Sequence, residues 1–310
     1  MRITLMSGAG NRFAMLDGFA GALPNDLPAL ARAACAEIDV GQGARPDGLL
    51  IATKPSKGGA CAMVLHNADG SRPETCGNGL RCVAKLVADR GHVKGDAFVI
   101  ESDAANCPTT VERASGKVVR ARVHMGTPRI VARDVGIALE SDTRRDTGGR
   151  GDSTLAGGEP RHARSDRDAS NPNDAHVVVR GTLVDVGNPH CVLFVDDERK
   201  APVTTHGPLI EKHAMFPRGT NVEFLALRAG RAHLRVWERG VGETQACGSG
   251  ACAAAVAAVE RGLARFPMRL ELGGGTLEVD GDGQGGVFLT GPVEELGVIE
   301  WTPGTAPRKV

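Results

Sequence analysis

Two short segments of this 310-residue chain are near copies of one another, and each is built around a cysteine. Residues 74–82 read Glu-Thr-Cys-Gly-Asn-Gly-Leu-Arg-Cys, and residues 243–252 read Glu-Thr-Gln-Ala-Cys-Gly-Ser-Gly-Ala-Cys. We call residues 76–79 the first cysteine turn and residues 247–250 the second cysteine turn. An apolar helical pattern follows each turn. The duplication predicts two similar halves that face one another.

The order of residues in each turn has chemical consequences. A cysteine that precedes Gly-x-Gly and a helix has its sulfur at the helix N-terminus, where free N–H groups and the helix dipole favour a thiolate. The same N–H groups can bind a carboxylate, and the glycines let a ligand approach the backbone closely. Two facing turns would hold one α-carbon between Cys76 and Cys247, one as thiolate base and the other as thiol acid. Nearby side chains then have to separate two similar pKa values.

Composition and charge exclude several classes of partner. Lys and Arg total 37, and Asp and Glu total 37, so the zero net charge argues against nucleic acid or an anionic membrane. Aromatic residues make up 3% of the chain and Tyr is absent, which leaves few platforms for base stacking. No apolar run reaches the roughly 18 residues that span a bilayer, and the apolar N-terminal stretch is too short for a secretory signal. The sequence therefore predicts a cytoplasmic protein with no membrane or nucleic-acid partner.

The chain has eight cysteines, and a cytoplasmic chain of this size is expected to keep them reduced. Structural zinc sites usually pair cysteines about two to four residues apart, whereas predicted helix separates Cys76 from Cys82 and Cys247 from Cys252. We therefore expect no metal ion. The other cysteines are expected to be inert apolar side chains in the core or behind the site: Cys35, Cys61, Cys82, Cys107, Cys191 and Cys252.

The rest of the chain indicates many strands and few helices. Helices are predicted at 27–38, 79–90 and 249–262, and the third is apolar on all sides, which is typical of a fully buried helix. Residues 136–174 are polar and mixed in charge, so we expect a mobile surface loop there. Short apolar runs predict strands at 3–6, 48–53, 60–66, 97–102, 118–125, 182–186, 190–195, 222–228, 233–238, 268–272, 276–280 and 285–290, with one more within 291–301.

An ordered series of motifs gives the chain a family likeness from end to end. They are Gly10-Asn-x-Phe, Asp47-Gly-Leu-Leu, Asn67-Ala-Asp-Gly-Ser, Cys76-Gly-Asn-Gly-Leu-Arg-Cys, Gly187-Asn-Pro-His-Cys, His206-Gly-Pro, Thr220-Asn-Val-Glu-Phe, Trp237-Glu-Arg-Gly and Ala246-Cys-Gly-Ser-Gly-Ala-Cys. On these motifs the chain resembles the diaminopimelate epimerases, a family of two-cysteine epimerases that use no pyridoxal phosphate or other cofactor.

The resemblance implies an α/β (α+β) fold with two pseudo-symmetric domains. Each domain would be a curved, mostly antiparallel sheet wrapped around a central helix, with the active site in the cleft between them. Residues 1–125 together with 291–310 would form the N-terminal domain carrying Cys76. Residues 126–290 would form the C-terminal domain carrying Cys247, with 136–174 as its polar flexible loop.

The resemblance also implies roles for particular residues. Cys76 and Cys247 would be the acid–base pair, and His190 and Glu238 would be catalytic neighbours that tune their pKa values. Glu238 would also bind an ammonium group, and Arg239 would bind a carboxylate through its forked guanidinium. Taken alone, such a His is more often structural, a Glu-Arg pair on a strand is more often solvated, and Asn residues more often mark turns. The remaining substrate contacts would be Asn11, Asn67, Asn188 and Asn221, with main-chain donors at Gly77, Asn78, Gly248 and Ser249.

The activity that the resemblance implies is conversion of LL-2,6-diaminopimelate to the meso form, a step towards lysine and peptidoglycan precursors. A related two-cysteine racemase acting on histidine or proline, and a non-catalytic amino-acid-binding protein, stay open as alternatives. The asparagine set argues against proline, which has no distal head, and the two thiols argue against a protein that only binds. Ser7 and Arg12 depart from the family's usual opening and leave the substrate preference open. A homodimer is a possible assembly, although the chain lacks the Tyr that family dimers commonly use.

Overall fold

The computed structural model describes residues 1–41, 43–73, 76–139, 177–228 and 230–310. These residues form a strand-rich α+β structure, which confirms the predicted fold class. All three predicted helices are present. None of the helices in the described part of the chain is long and apolar enough to cross a membrane.

The first half of the chain contains seven strands and two helices. They are β1 (Arg2–Gly8), β2 (Asn11–Asp17), α1 (Leu27–Glu37), β3 (Gly48–Thr53), β4 (Cys61–Asn67), α2 (Gly77–Asp89), β5 (Ala97–Glu101), β6 (Asn106–Ala114) and β7 (Lys117–His124).

The described residues of the second half repeat this plan, and two further strands follow them. The elements are β8 (Arg129–Leu139), β9 (Val177–Asp185), β10 (Pro189–Val195), a 3₁₀ turn (Glu198–Lys200), α3 (Val203–Glu211), β11 (Asn221–Arg228), β12 (Arg231–Glu238), β13 (Gly242–Thr244), α4 (Gly248–Glu260), β14 (Met268–Leu272), β15 (Gly275–Gly281), β16 (Val287–Pro292), β17 (Glu294–Glu300) and β18 (Arg308–Lys309).

The strand pairing is the same in both halves. In the first half β1–β2 and β3–β4 are antiparallel, β2–β3 and β4–β5 are parallel, and β5–β6–β7 is antiparallel. In the second half β9–β10 and β11–β12 are antiparallel, β10–β11 and β12–β14 are parallel, and β14–β15–β16 is antiparallel. The equivalent strands β7 and β16 pair with each other, so the halves meet along one antiparallel ladder.

The outer strands complete each half. β17 pairs with β1, which returns the end of the chain to the first half, and β8 pairs with β9 at the edge of the second half. The predicted boundary between residues 290 and 291 lies inside β16 (Val287–Pro292). The division into two domains stays a prediction.

The helices α2 and α4 lie in one apolar cluster that includes strands from both halves. α4 consists almost entirely of Ala, Gly, Ser, Cys and Val, and its residues from Gly248 to Ala255 are all buried. Small side chains allow strands to surround the helix closely, since interiors are packed to near crystal density. The other two helices cover the outer faces: α1 packs on Leu49 and Ile51, and α3 packs on Val222 and Phe224.

Several segments differ from the sequence prediction, since the strands β2, β6, β8, β13 and β18 were not predicted. Helix α3 was not predicted because it contains Gly207-Pro208, which normally disfavours a helix. Its burial of Val203 and Ile210 in the core supplies the compensating tertiary contacts.

The predicted loop at 136–174 is wrong for its first four residues. Gly136 pairs with Arg180 and Leu139 with Val177, so residues 136–139 extend β8. Ile137 and Leu139 point into the core, while the intervening residues face outward, which is the alternation of a half-buried strand. Residues 140–174 lie outside the described part of the chain.

Candidate active site

The two cysteine turns have the same local structure. Cys76 is the N-cap residue of α2, and its Sγ accepts a hydrogen bond from the Gly79 N–H at 3.3 Å. Cys247 is the N-cap residue of α4, and its Sγ accepts from the Gly250 N–H, also at 3.3 Å. Both sulfur atoms therefore lie at a helix N-terminus, as the sequence predicts.

The two turns meet at the ladder that joins the halves. A Cβ placed on Gly77 would lie 2.7 Å from Leu289 Cδ2, and one on Gly248 would lie 2.9 Å from the same atom. The side chain of Asn78 bridges the turns, since its Nδ2 donates to the Ala246 carbonyl at 3.4 Å. Glycine is required at both positions because only a residue without a Cβ permits this approach.

The two thiols are not equally easy to ionise. Burial raises the pKa of Cys76 to about 11; the Gly79 N–H and the nearby Arg81 guanidinium oppose this rise, and Glu238 adds to it. Burial raises the pKa of Cys247 well above its ordinary value, and the carboxyl groups of Glu238 and Glu223 raise it further. Burial thus outweighs the helix N-terminus at both cysteines. Carboxyl groups raise both pKa values, and the Arg81 guanidinium makes the Cys76 thiolate the more favourable of the two.

Arg81 is a buried cation that the sequence analysis missed. Its side chain is fully buried on α2 and donates to the Asn78 Oδ1 at 2.8 Å and to the Gly77 carbonyl at 3.4 Å. No carboxylate in the described residues forms an ion pair with it, and its Nε has no hydrogen-bond partner there. Burial lowers its pKa to about 10, which leaves it charged at neutral pH. An Arg between apolar residues, directly after the first cysteine turn, was the available signal.

Glu238 lies at the end of β12, beside the Cys247 thiol. Its Oε1 accepts a hydrogen bond from the Thr244 hydroxyl. Burial raises the pKa of this carboxyl group, while Thr244 and the neighbouring His190 lower it. The structure therefore brings Glu238 together with a cysteine.

His190 is bonded through both ring nitrogens, and neither partner is a cysteine. Its Nδ1 lies 2.7 Å from Glu223 Oε1, and its Nε2 lies 2.9 Å from Asn188 Oδ1. Glu223 was not selected from the sequence, although an acidic residue inside the apolar strand β11 was a usable signal. The assignment of His190 as a neighbour that tunes a cysteine stays a prediction.

The first half contributes two of the predicted asparagines. Asn11 donates to Asp47 Oδ2 at 3.2 Å and accepts from the Asn78 side chain, so it lies at the first cysteine turn. Asn67 ends β4 and donates to Ser71 Oγ at 3.0 Å. Asp47 is a further acidic group that the sequence analysis did not assign to the site, and burial raises its pKa.

The second half contributes the other predicted polar contacts. Asn221 is held at both ends of its amide: Nδ2 donates to the Pro189 carbonyl at 2.9 Å, and Oδ1 accepts from the Arg239 N–H at 3.0 Å. The Arg239 guanidinium donates to the Arg218 carbonyl at 3.2 Å. These groups, with Asn188, form one polar region on the second half.

Two cavities lie near these groups, one at the boundary between the halves and one lined by residues of the second half. One, of about 230 Å³, is lined by Cys76, Leu80 and Met125, and reaches Gly187 of the second half. The other, of about 260 Å³, is lined by residues that include Gly187, Asn188 and His190. Within the described ranges, no three His, Cys, Asp or Glu side chains are grouped to hold a metal ion.

Two like halves with paired cysteine turns define a fold class, an α+β structure in which the second half repeats the strand pairing of the first. A solved structure described as a probable proline racemase from Agrobacterium radiobacter K84 has this fold, with a TM-score of 0.63 and 15% identity. The match covers 97% of this chain and 92% of that chain. At this identity, the similarity shows the fold alone.

Within that class, the chain belongs to the diaminopimelate epimerase family. The family model, described as diaminopimelate epimerase, matches residues 3–131 and 182–296, one segment in each half. The diaminopimelate epimerase of Moorella thermoacetica is 38% identical over 298 residues, covering 96% of this chain and 97% of that protein. That of Geobacillus kaustophilus is 40% identical over 297 residues, covering 94% and 93%. The resemblance is confirmed, and with it the enzyme class, an isomerase.

Proposed function

We propose that the protein converts LL-2,6-diaminopimelate to meso-diaminopimelate without pyridoxal phosphate. The observation that carries this proposal is that Cys76 and Cys247 cap two central helices whose N-termini meet at Leu289. One sulfur removes the α-proton from one face of the substrate carbon, and the other returns a proton to the opposite face. Two curated relatives that carry the name of this activity support the choice of substrate.

The charges beside the cysteines favour one starting state. Carboxyl groups lie near both sulfur atoms, and the Arg81 guanidinium lies near Cys76. When the pair holds a single proton, that proton therefore rests on Cys247, and Cys76 is the thiolate. A thiol whose pKa is raised to about 11 gives a stronger base, which suits a weakly acidic α-proton. The reverse reaction starts with the roles exchanged.

The helix N-termini supply donors for the carboxylate at the reacting centre. In α2 the Gly79 N–H binds the cysteine sulfur and the Leu80 N–H binds the Cys76 carbonyl. The second turn repeats this arrangement. The remaining first-turn N–H groups have no partner within their helices. We assign four of these main-chain donors to the substrate carboxylate: Gly77, Asn78, Gly248 and Ser249.

The distal amino-acid head of the substrate would bind the polar region of the second half. Arg239 would bind its carboxylate and Glu238 its ammonium group, with Asn67, Asn188 and Asn221 completing the contacts. A site that pairs both heads rejects a substrate with only one, because its buried polar groups are then left without partners. We place the reaction in the cytoplasm, where thiols stay reduced.

Proton NMR in deuterium oxide tests this function directly. Reduced protein is incubated with LL-diaminopimelate without any added cofactor, and with L-proline and L-histidine in parallel. We expect loss of the α-proton signal and growth of the meso isomer with diaminopimelate alone. Exchange with proline or histidine instead would move the protein to another racemase activity, and exchange with none of them would favour a binding protein.

A further inference from the structure

Glu223 is a buried carboxyl group at the second cysteine turn whose bonding is only half satisfied. Its side chain is 0% exposed, and Oε1 lies 2.7 Å from His190 Nδ1. Its other oxygen, Oε2, has no hydrogen-bond partner among the described residues. A buried carboxyl group with one oxygen left unpaired is costly, so its presence calls for a function.

The first half shows that the scaffold does not need an acid at this position. A Cβ on Gly250 would lie 2.8 Å from Glu223 Oε1, whereas a Cβ on the equivalent Gly79 would lie 3.1 Å from Leu50 Cδ2. The same place behind each cysteine turn therefore holds a leucine in one half and a glutamate in the other. The glutamate therefore has a role that is specific to the second half.

The hydrogen bonds define where the protons are. Asn188 Oδ1 can only accept, so the His190 Nε2 that lies 2.9 Å from it must carry hydrogen. His190 Nδ1 and Glu223 Oε1 then share one further proton, held on either atom, and the pair is neutral overall in both cases. With Nε2 always a donor, the amide oxygen of Asn188 is always turned towards His190.

We propose that Glu223 is a positioning residue which acts through His190 to hold the Asn188 amide with its N–H groups free to donate to a substrate carboxylate. Asn188 and His190 both line the cavity of about 260 Å³, while Glu223 lies behind them. This inference rests on the proposed function, in which Asn188 contacts the distal head of the substrate. Without the Nδ1 partner, His190 exchanges between tautomers, and the Asn188 amide no longer has one preferred orientation.

The groups around Glu223 favour the state in which it shares a proton with His190. His190 on β10, Cys247 before α4 and Glu238 on β12 face this region, and Cys191 on β10 lies near. Burial raises the pKa of Glu223, and His190 alone among these neighbours lowers it. An unpaired negative charge on buried Glu223 would be unfavourable, so the carboxyl group is held by its bond to the imidazole.

The test compares Glu223→Gln, whose amide can still donate to His190 Nδ1, with Glu223→Leu, which reproduces the first half. Nitrogen-15 NMR of the His190 ring, assigned with a His190→Gln variant, reports the tautomer. We expect Nε2 to carry hydrogen throughout in the parent and in Glu223→Gln, and a mixture of Nε2–H and Nδ1–H tautomers in Glu223→Leu. For LL-diaminopimelate, Glu223→Leu should raise KM about tenfold, as expected for one lost hydrogen bond to a charged group, whereas Glu223→Gln, which also lacks a charge beside Cys247, should keep KM within about threefold of the parent.

Two controls separate positioning from general damage. Glu198→Gln alters another buried glutamate, bonded to Arg228 and outside the site, and should leave the His190 signals and KM unchanged. Glu223→Leu added to Asn188→Ala should raise KM no further than Asn188→Ala alone.

A parent protein that fails to turn over diaminopimelate would contradict the proposed function only, because the ring signals are read without turnover. An unchanged tautomer in Glu223→Leu, or a KM in Glu223→Leu equal to that of Glu223→Gln, would overturn the positioning role.

Discussion

Cys76 and Cys247 have matching backbones but unlike neighbours, and the neighbours decide their chemistry. Carboxyl groups lie near both sulfur atoms, but the Arg81 guanidinium lies near the first. A two-base epimerase needs one thiolate and one thiol at the same time, so two identical turns would work against each other. The difference between the two cysteines comes from residues outside the duplicated motif and from unlike residues at equivalent positions within it. Five residues after the cysteine, the first segment has Arg81 and the second has Cys252.

Removal of either sulfur should abolish the reaction and leave the fold intact. Each of Cys76→Ala and Cys247→Ala should lower epimerisation of LL-diaminopimelate by at least about 10²-fold, because proton transfer by a positioned group contributes that much or more. The measurement is growth of the meso isomer, with circular dichroism as the check on folding. Cys35→Ala on α1 is the matched control and should remain active. A single site variant with parental activity would contradict the two-base mechanism.

The raised pKa of Cys76 predicts how its reactivity depends on pH. Only the thiolate is alkylated, so in a Cys247→Ser background the iodoacetamide rate should rise about tenfold per pH unit from pH 7 and level off near pH 11. Mass spectrometry of the Cys76 peptide gives the rate. A plateau already reached at pH 8 would show that the helix N-terminus outweighs burial. Arg81→Met should move the plateau to higher pH, whereas Arg81→Lys, which keeps the charge, should move it less.

Helices α2 and α4 position the two cysteine turns next to each other. Both begin with glycine against Leu289 of β16, the strand that pairs with β7 across the halves. The strand and the two helix N-termini thus form one contact, and the separation of the sulfur atoms depends on it. This is the reason that the site requires both halves.

The close approach of the helices to Leu289 predicts the cost of a methyl group there. Gly77→Ala and Gly248→Ala should each lower the free energy of unfolding by about 1–3 kcal/mol, the usual cost of overpacking a core. Gly21→Ala, where an added Cβ meets nothing within 4 Å, should change stability little. Urea unfolding followed by circular dichroism measures all three. If adding Leu289→Val restores the lost stability, the clash is with the Leu289 side chain. If all three glycine variants are as stable as the parent, the contact with Leu289 does not restrict the position of the helices.

At the scale of the whole molecule, one apolar cluster contains both central helices and strands from each half. The β7–β16 ladder links the halves by main-chain hydrogen bonds as well. A shared core of this kind couples the halves energetically, so we expect them to unfold together even though each repeats the same strand pairing.

The two tryptophans can report this coupling because one lies in each half. Trp237 on β12 donates to Glu211, and Trp301 after β17 donates to Glu37. In the single-tryptophan variants Trp301→Phe and Trp237→Phe, urea transitions followed by fluorescence should have the same midpoint and slope. Two separated midpoints would show that the halves are independent folding units. Sedimentation velocity on the parent tests the possible homodimer, which stays a prediction.

Much of the architecture follows from local signals in the sequence. The two Cys-Gly-x-Gly turns, the apolar runs that become strands and the Ala-rich helix α4 are all determined by periodicity and by residues that favour or disfavour a conformation. The family could be recognised from motifs that are contiguous in the chain, and the duplicated turn already indicated two halves around one site.

The tertiary structure alone decided which side chains meet. Asn78 bridges to the carbonyl of Ala246, 168 residues away, and His190 is held by Glu223 from a neighbouring strand. Helix α3 persists through Gly207-Pro208 because its buried face outweighs its weak propensity. Such contacts depend on the register of distant strands, which no local pattern records. The sequence by itself therefore determined that two cysteine turns exist, while the fold decided that a cation lies behind one and a carboxyl group behind the other.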